Sequence, residues 1–377
     1  MFALRSMRDM RAQPRSLCLP RTAVPSSNWQ YEIMMNPTQD RFSLGTFAQD
    51  SQTPFAGMVL HGGGSPTVID LNDLLTLENP SRSHDLSSIF ALFDDWKAKF
   101  AHLRRLHARL DSTSGAKVRR LPLEQLRTLA PYRPQQIVCI GANYRTHVIE
   151  MLAAQPSPHM LSFAPEGRRA EAARMMDERA ARGDPYAFSK LPSCVIGSGD
   201  AVVLPFDVDK PDWELELAVV IGAPARRVSR ADAMRCVAGF TIANDITARE
   251  RIYRTDLPDL ASDFLAGKSV PTFLPFGPWI TPSEFVDHED LTITLSLNGE
   301  RMQHGHTSDM LFDIPRQIEY LSSRIELSPG DLICTGSPAG NGMHHGRFLR
   351  PGDQLSGTIT GLGTLLNPCV AESAVSR

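Results

Sequence analysis

An α+β fold, mainly β, is what the 377-residue sequence predicts, and three observations carry that expectation. Beyond residue 190 the chain is a succession of short apolar, β-branched runs, predicted as strands at 201–205, 213–221, 236–243, 278–281, 291–297, 331–335 and 355–360. Turn signals separate them: Gly197-Ser-Gly199-Asp200, Asn298-Gly299, Pro329-Gly330-Asp331 and Pro351-Gly352-Asp353. Only short helical stretches, near 229–236 and 313–322, interrupt this series, so an antiparallel or mixed β assembly is expected rather than a doubly wound parallel sheet. Gly336, Gly340 and Gly342 follow a strand but match no nucleotide-binding spacing.

Residues 1–37 carry no folding pattern. The first turns of sequence hold Arg5, Arg8, Arg11, Arg15 and Arg21 against one acid, Asp9, among Pro and Ser. That is the composition of an organellar transit peptide or of an extension upstream of Met34 or Met35, and a disordered extension is expected. From residue 38 to about 125 a small α+β domain is expected. Strands alternate at 41–48 and 55–61, Val68–Leu71 follows a Gly62-Gly-Gly-Ser65 loop, and Phe93, Trp96, Phe100, Leu103 and Leu110 form one helical stripe. That stripe reads as core, and nothing in the segment reads as catalytic.

The second domain, 130–374, begins with the strand Pro134–Gly141. If 143–152 is helical, His147 and Glu150 stand at i and i+3 and can touch. A carboxylate beside an imidazole fixes its tautomer and raises its basicity, which suits a general base; the alternative is an incidental pair on a surface helix. Residues 156–186 open with prolines and continue as a strong helix former over 166–182, stopped by Gly183-Asp-Pro185. Charged nearly all round, that helix is expected to be solvated and to ride on a loop outside the core.

Charged residues at 21%, apolar residues at 42% and a net charge of −3 describe a soluble globular protein and exclude nucleic acid or an anionic membrane as the main partner. No run reaches the roughly 18 apolar residues of a membrane span. Cys18, Cys139, Cys194, Cys236, Cys334 and Cys369 form no Cys-x-x-Cys pair, several lie in strand-like runs, and reduced core thiols in a cytoplasmic protein are expected rather than thiolate zinc.

The most informative stretch is Trp213-Glu-Leu-Glu-Leu-Ala-Val-Val-Ile-Gly222. As a strand it puts Glu214 and Glu216 on one face, about 6.5–7 Å apart, and that face continues inward as Ala218 and Val220. Two carboxylates facing a core need neutralising, by a bound divalent cation or, on an edge strand, by water or a lysine. Asp245, closing the apolar run Phe240–Asn244, offers a third oxygen ligand. An all-oxygen trianionic set suits Mg²⁺ or Mn²⁺, not zinc. Lys190, Lys268 and Arg249 are the cations available to an anionic substrate.

The blocks around these residues run in one order: Gly-x-Asn-Tyr-x-x-His-x-x-Glu from Gly141, Phe188-x-Lys190, Glu214-Leu-Glu-Leu-Ala-Val-Val-Ile-Gly222, Asn244-Asp-x-Thr-Ala-Arg249, Lys268-Ser-x-x-Thr-Phe, Asn298-Gly-Glu300 and Thr335-Gly-Ser-Pro-Ala-Gly340. In that order they resemble the fumarylacetoacetate hydrolase family from about Gln136 to Val370. The resemblance implies a mixed β-sandwich roll, a homodimer and one Mg²⁺ or Mn²⁺ per subunit held by Glu214, Glu216 and Asp245. It further implies that Lys268 contacts the substrate, that His147 and Glu150 form a water-activating dyad on a lid, and that Lys190, Arg249, Thr335 and Gly336 lie along the substrate. Two departures stand out: the 156–186 insertion, which bears on the lid and the pocket mouth, and Ser337 in place of the usual Thr.

The expected reaction is metal-dependent hydrolysis of a C–C bond in a small anionic 2-oxo acid, a 2,4-dioxo acid of the acylpyruvate or fumarylpyruvate type. The same scaffold serves 2-hydroxyhepta-2,4-diene-1,7-dioate isomerisation, hydration and oxaloacetate decarboxylation. A noncatalytic dicarboxylate-binding scaffold is the reading from another class.

Overall fold

A computed structural model describes residues 41–373 apart from 50–52, 63, 77–85, 111–117, 155–156, 255 and 257–261. The extension expected over 1–37 lies outside the described residues. In chain order the elements are β1 (Phe42–Ala48), β2 (Phe55–Leu60), β3 (Thr67–Asp70), α1 (Leu71–Thr76), α2 (Trp96–His107), β4 (Leu121–Pro122), β5 (Arg127–Thr128) and β6 (Ile137–Gly141). Next come α3 (Arg145–Ala154), α4 (Pro165–Arg182), β7 (Tyr186–Lys190), β8 (Val195–Ile196), β9 (Val202–Leu204), β10 (Pro211–Asp212), β11 (Leu215–Ile221), β12 (Val237–Asn244) and β13 (Thr247–Ala248). Then follow α5 (Arg249–Ile252), α6 (Phe264–Lys268), β14 (Leu274–Pro282), β15 (Thr292–Leu297), β16 (Glu300–His306), α7 (Ile314–Arg324), β17 (Leu332–Cys334), α8 (Gly342–His345), β18 (Gln354–Ile359) and β19 (Gly363–Ala371).

The main sheet runs β4-β3-β2-β1-β14-β12-β11-β17-β6-β7, and a second sheet runs β16-β15-β18-β19-β9. Most neighbours are antiparallel; β17 with β6, β19 with β9 and β14 with β8 are parallel. This is the mixed, mainly β assembly that the strand runs predict. The strands from the N-terminal segment do not form a separate sheet, because β1 pairs directly with β14 at Leu44 and Ile280. The aromatic stripe of α2 packs where expected, with Trp96, Phe100 and Leu103 in the same cluster as Phe42 and Leu44.

Strand β11 explains its own composition. Leu215, Leu217, Val219 and Ile221 face the core shared with the second sheet, where Ile293, Leu295, Leu355 and Ile359 meet them. Ala218 and Val220 face the opposite cluster beneath α2. A strand covered on both faces has no need of polar alternation, so an apolar run is what such a position selects. The two glutamates are therefore the exceptions in it.

Strands β16 and β19 were not among the predicted ones. The β15–β16 hairpin turns at Asn298 and Gly299, both with positive φ, as that dipeptide prefers. Its second strand is polar, and its central side chain, Gln303, is buried by accepting from Leu215 N (3.0 Å) and donating to Ser337 Oγ and Pro338 O (2.9 Å each). Hydrogen bonding replaces apolar pattern there, and the periodicity gives no warning of it.

The 166–182 helix departs from expectation. It forms as α4, but Ala172 and Met176 are buried against Val148, Ile149 and Met160, so it joins a small core with α3. Asp177 takes both Arg145 Nε (2.8 Å) and Nη2 (3.1 Å), and Arg179 donates to Ala142 O and lies over the Phe312 ring. A one-residue-wide apolar stripe among so many charges is too faint to announce burial.

Gly239 sits where β12 crosses β14: a Cβ there would meet Thr281 O at 2.4 Å and Ile280 Cγ2 at 2.8 Å. Since a backbone oxygen cannot step aside without parting the strands, Gly239→Ala is expected to cost about 3 kcal/mol, at the upper end for overpacking. A lowered urea midpoint with unchanged slope would register this; an unaltered midpoint would mean that the strands yield freely.

Candidate metal centre and active site

Register brings the acids together. β11 and β12 are antiparallel, with Leu215 opposite Asn244 and Glu216 opposite Ala243, so the start of one strand lies beside the end of the other. Asp245 N donates to Glu214 O (2.8 Å), and Glu214 N to Asn244 Oδ1 (2.9 Å), which fixes both residues just outside the ladder. One carboxylate oxygen from each of Glu214, Glu216 and Asp245 lies within 4.8 Å of the others, and all three residues are buried.

Three cations reach this cluster from three elements. Lys190, at the end of β7, is fully buried and donates to Asp245 Oδ1 (2.7 Å) and Ile246 O (2.8 Å). Lys268, at the end of α6, donates to Glu214 Oε2 and Asp245 Oδ2 at 2.5 Å each, with its ammonium 5.0 Å from the Phe188 ring centroid. Arg249, at the start of α5, joins Asp212 Oδ2 (2.8 Å) to Glu214. Asp212 also accepts from Gly342 N and Met343 N, the first backbone donors of α8.

Electrostatics separate the acids. Burial works to raise the Glu214 pKa, but Arg249 and Lys268 more than offset it and hold it below the usual carboxylate range. Burial likewise works against the Lys268 ammonium, and Asp245 and Glu214 hold its pKa above that of a free lysine. Glu216 has less help, since only the charge of Lys268 opposes the rise and does not offset it. It accepts from Gly336 N (2.8 Å) and makes no ion pair among the described residues, and burial pushes its pKa well up, with Asp245 and Glu214 adding to the shift. A buried carboxylate beside two others, with no ion pair among the described residues, is a setting in which a divalent cation would favour the ionised form. The oxygen-only donor set fits Mg²⁺ or Mn²⁺, which Glu214, Glu216 and Asp245 would hold.

The remaining predicted residues divide. His147 lies on α3, partly exposed; burial lowers its pKa, Arg249, His344 and Lys268 lower it further, and Glu214 opposes them. Glu150, one turn on, makes no hydrogen bond to His147: its oxygens face His344 Nδ1 (3.6 Å) and Arg169 Nη2 (3.8 Å). Thr335 Oγ1 donates to Leu217 O (2.9 Å) and Gly336 N to Glu216, so both are committed to β11 in this state. Gly336 has φ +101° and no room for a Cβ against Asn143 and Ile140 O, which accounts for glycine there.

Sequence reasoning missed Asp212, although Asp212, Glu214 and Glu216 share one period-2 face and the signal was readable. It also missed Tyr144, whose hydroxyl is buried with no partner among the described residues, and His344, for which no local signal exists.

Residues 136–370 match the fumarylacetoacetate (FAA) hydrolase C-terminal family. The mitochondrial oxaloacetate tautomerase FAHD2B of Bos taurus is 30% identical over 93% of this chain and 96% of its own length. Oxaloacetate tautomerase YisK of Bacillus subtilis (strain 168) is 39% identical over 63% of this chain and 70% of its own. Among solved structures, a maleylpyruvate hydrolase from Sphingobium sp. SYK-6, in complex with manganese (II) ion and pyruvate, has TM-score 0.61 and 25% identity, covering 88% of this chain and all of that one (100%). No helix among the described residues is long and apolar enough to cross a membrane. With residues 136–370 matched and a relative 30% identical over 93% of the chain, the chain belongs to the fumarylacetoacetate hydrolase family of enzymes.

Proposed function

We propose that this enzyme moves protons on a small 2-oxo dicarboxylic acid of the oxaloacetate type, interconverting its keto and enol forms with a divalent cation. The observation that carries the reading is the setting of His147: a partly buried imidazole whose surroundings lower its pKa, with no hydrogen-bonded carboxylate among the described residues. A lone neutral imidazole near a cation-rich cluster suits proton transfer to and from carbon, whereas water activation calls for the orienting carboxylate. The tautomerase relatives support the same choice.

Glu214, Glu216 and Asp245 would hold the ion, which when bound supplies Lewis-acid polarisation of the 2-oxo group. The chain's own residues do the rest. Lys268 and Lys190 present positive charge to the substrate's anionic oxygens. His147 takes the proton from the carbon next to the 2-oxo group and the electron pair moves into the C–C bond. Lys268, beside the developing oxyanion, stabilises it.

C–C hydrolysis of a 2,4-dioxo acid is the second reading, favoured by one feature: Glu150 is a single helical turn from His147 and could swing to it, completing the expected dyad. An acylpyruvate substrate belongs to that reading, while the family resemblance implies a homodimer under either.

Ultraviolet loss of the enol of oxaloacetate, followed with EDTA and then with Mg²⁺ or Mn²⁺ restored, distinguishes the two. Metal-restored ketonisation without acylpyruvate cleavage is expected; metal-restored cleavage of acylpyruvates would move the assignment to the hydrolase. His147→Ala is expected to lose on the order of 10²–10⁴-fold in kcat with Mn²⁺ binding intact, and near-wild-type turnover would remove His147 from the mechanism. The sign of the pH dependence follows from the lowered His147 pKa. The neutral base is required, so kcat/KM should stay level as pH falls to 6.5, the ordinary imidazole value, and decline only below it. A decline beginning above 6.5 would contradict the assignment.

A further inference from the structure

Each of the three elements that brings a cation to the acid cluster also carries an aromatic ring. On β7, Tyr186, Phe188 and Lys190 are alternate residues and share one face of the strand. On α6, Phe264 and Lys268 stand at i and i+4, one turn apart. Arg249 opens α5, and Tyr253 follows its last residue, again four positions on. The lysines are at the covered end, Lys190 being 2% exposed and Lys268 4%. The other end is open: Tyr186 is 46% exposed, Tyr253 71%, and Leu265, beside Phe264, 63%.

The rings form one row. Phe188 and Phe264 stack with centroids 4.8 Å apart and planes at 26°, and Tyr186 meets Phe264 edge-on at 5.7 Å. Lys268 Nζ lies 5.0 Å from the Phe188 centroid, so the row begins at an ammonium that touches Glu214 and Asp245. Burial raises the Tyr186 pKa, and Tyr253 raises it further while Lys268 lowers it, which sets both of those groups beside the Tyr186 phenol. Beneath the row the sheet is low. Gly141 pairs with Tyr186 in the ladder, and a Cβ there would meet Tyr186 Cδ1 at 2.8 Å, so a side chain would lift the ring off the sheet. Shielding a lysine needs one ring; a row that runs on to water is a surface for something to cover. Its charge names the occupant: an anionic head at the two ammonium groups and a flat apolar tail along the rings.

We propose that this row is a subsite for the non-reacting end of an aryl-bearing 2-oxo acid, and that the enzyme also interconverts the keto and enol forms of arylpyruvates. The inference rests on the enolisation reading above and widens its substrate class. The carboxylate and the 2-oxo oxygen take the end marked by Lys190 and Lys268, and the aryl ring lies along Phe188, Phe264 and Tyr186. In an arylpyruvate the third carbon stands between the 2-oxo group and the ring. Its C–H bond breaks, the proton goes to His147, and the electron pair forms the double bond between the second and third carbons. The 2-oxo oxygen takes one proton from water, so one proton leaves carbon and one joins oxygen, with no change of oxidation state and no co-reactant. The enol is conjugated with the ring and flat from oxygen to ring. A stacked aromatic wall therefore holds the developing enol better than the bent keto form, which is the difference that speeds a reaction.

The test follows the ultraviolet loss of enol phenylpyruvate beside that of enol oxaloacetate, with the full chain and Mn²⁺. The wild type is expected to turn over both. Phe264→Leu and Tyr186→Ser each remove one ring of the row. In both, kcat/KM for phenylpyruvate is expected to fall on the order of 10-fold more than kcat/KM for oxaloacetate. Tyr186→Phe, which keeps the ring, is expected to hold the wild-type ratio. Thermal unfolding establishes which variants fold, and Tyr186→Ser decides alone if Phe264→Leu does not, since the Tyr186 ring is half exposed. An unchanged ratio in folded variants would overturn the subsite. So would variants that keep the ratio and dissociate a dimer, since the row would then be an interface between copies of the chain. Turnover of oxaloacetate without phenylpyruvate removes the arylpyruvate activity alone, whereas a wild type that turns over neither with any metal removes the enolisation reading with it.

Discussion

Four buried acids meeting three cations is the constraint on which the rest of the structure depends. Asp212, Glu214, Glu216 and Asp245 converge at the mouths of β11 and β12, and Lys190, Lys268 and Arg249 are each delivered by a different element. Removing one partner from a buried pair costs roughly 3–5 kcal/mol, so each of these elements is held in place by charge as well as by packing. β7 is anchored through Lys190, α6 through Lys268, and α8 through the backbone donors that Asp212 accepts. Glu216 alone of the four makes no ion pair among the described residues.

Much of this was legible. The pair at 214 and 216 was readable from period-2 alternation inside an apolar run, and Asp245 from its place at the end of the partner strand. The two-sided burial of β11 made the run nearly continuous, which is why a strand was evident there and why its glutamates stood out. Less was legible where polarity and burial go together. Gln303 is buried through its hydrogen bonds, and β16 carries no apolar alternation to announce it. The partnership of Glu150 was not legible either: helical spacing allows contact with His147, but spacing cannot report that His344, far along the chain, and Arg169, in the insertion, stand closer in charge.

The insertion is the part of the chain where local pattern and tertiary role differ most. Its charges suggest a solvated helix, and most of them do face water. A few do not act alone: Arg145 with Asp177, and Arg179 with Ala142 O, bind α4 to the segment carrying His147, while Asp309 holds the first turn of α3 through Thr146. The helix that bears the base is thereby tied on one side to the insertion and on the other to the body. A fold shared with tautomerases and hydrolases does not by itself decide the chemistry.

Glu216 is a buried carboxylate that no cation pairs among the described residues, and a bound divalent cation would pair it. Calorimetric titration of Mn²⁺ into the wild-type chain and into Glu216→Gln tests it most directly. The account predicts one saturable site per chain in the wild type and a loss of affinity on the order of 10²-fold or more in the variant, whose side chain keeps the shape and gives up the charge. Equal affinity in the two proteins, or no binding in the wild type, would contradict it.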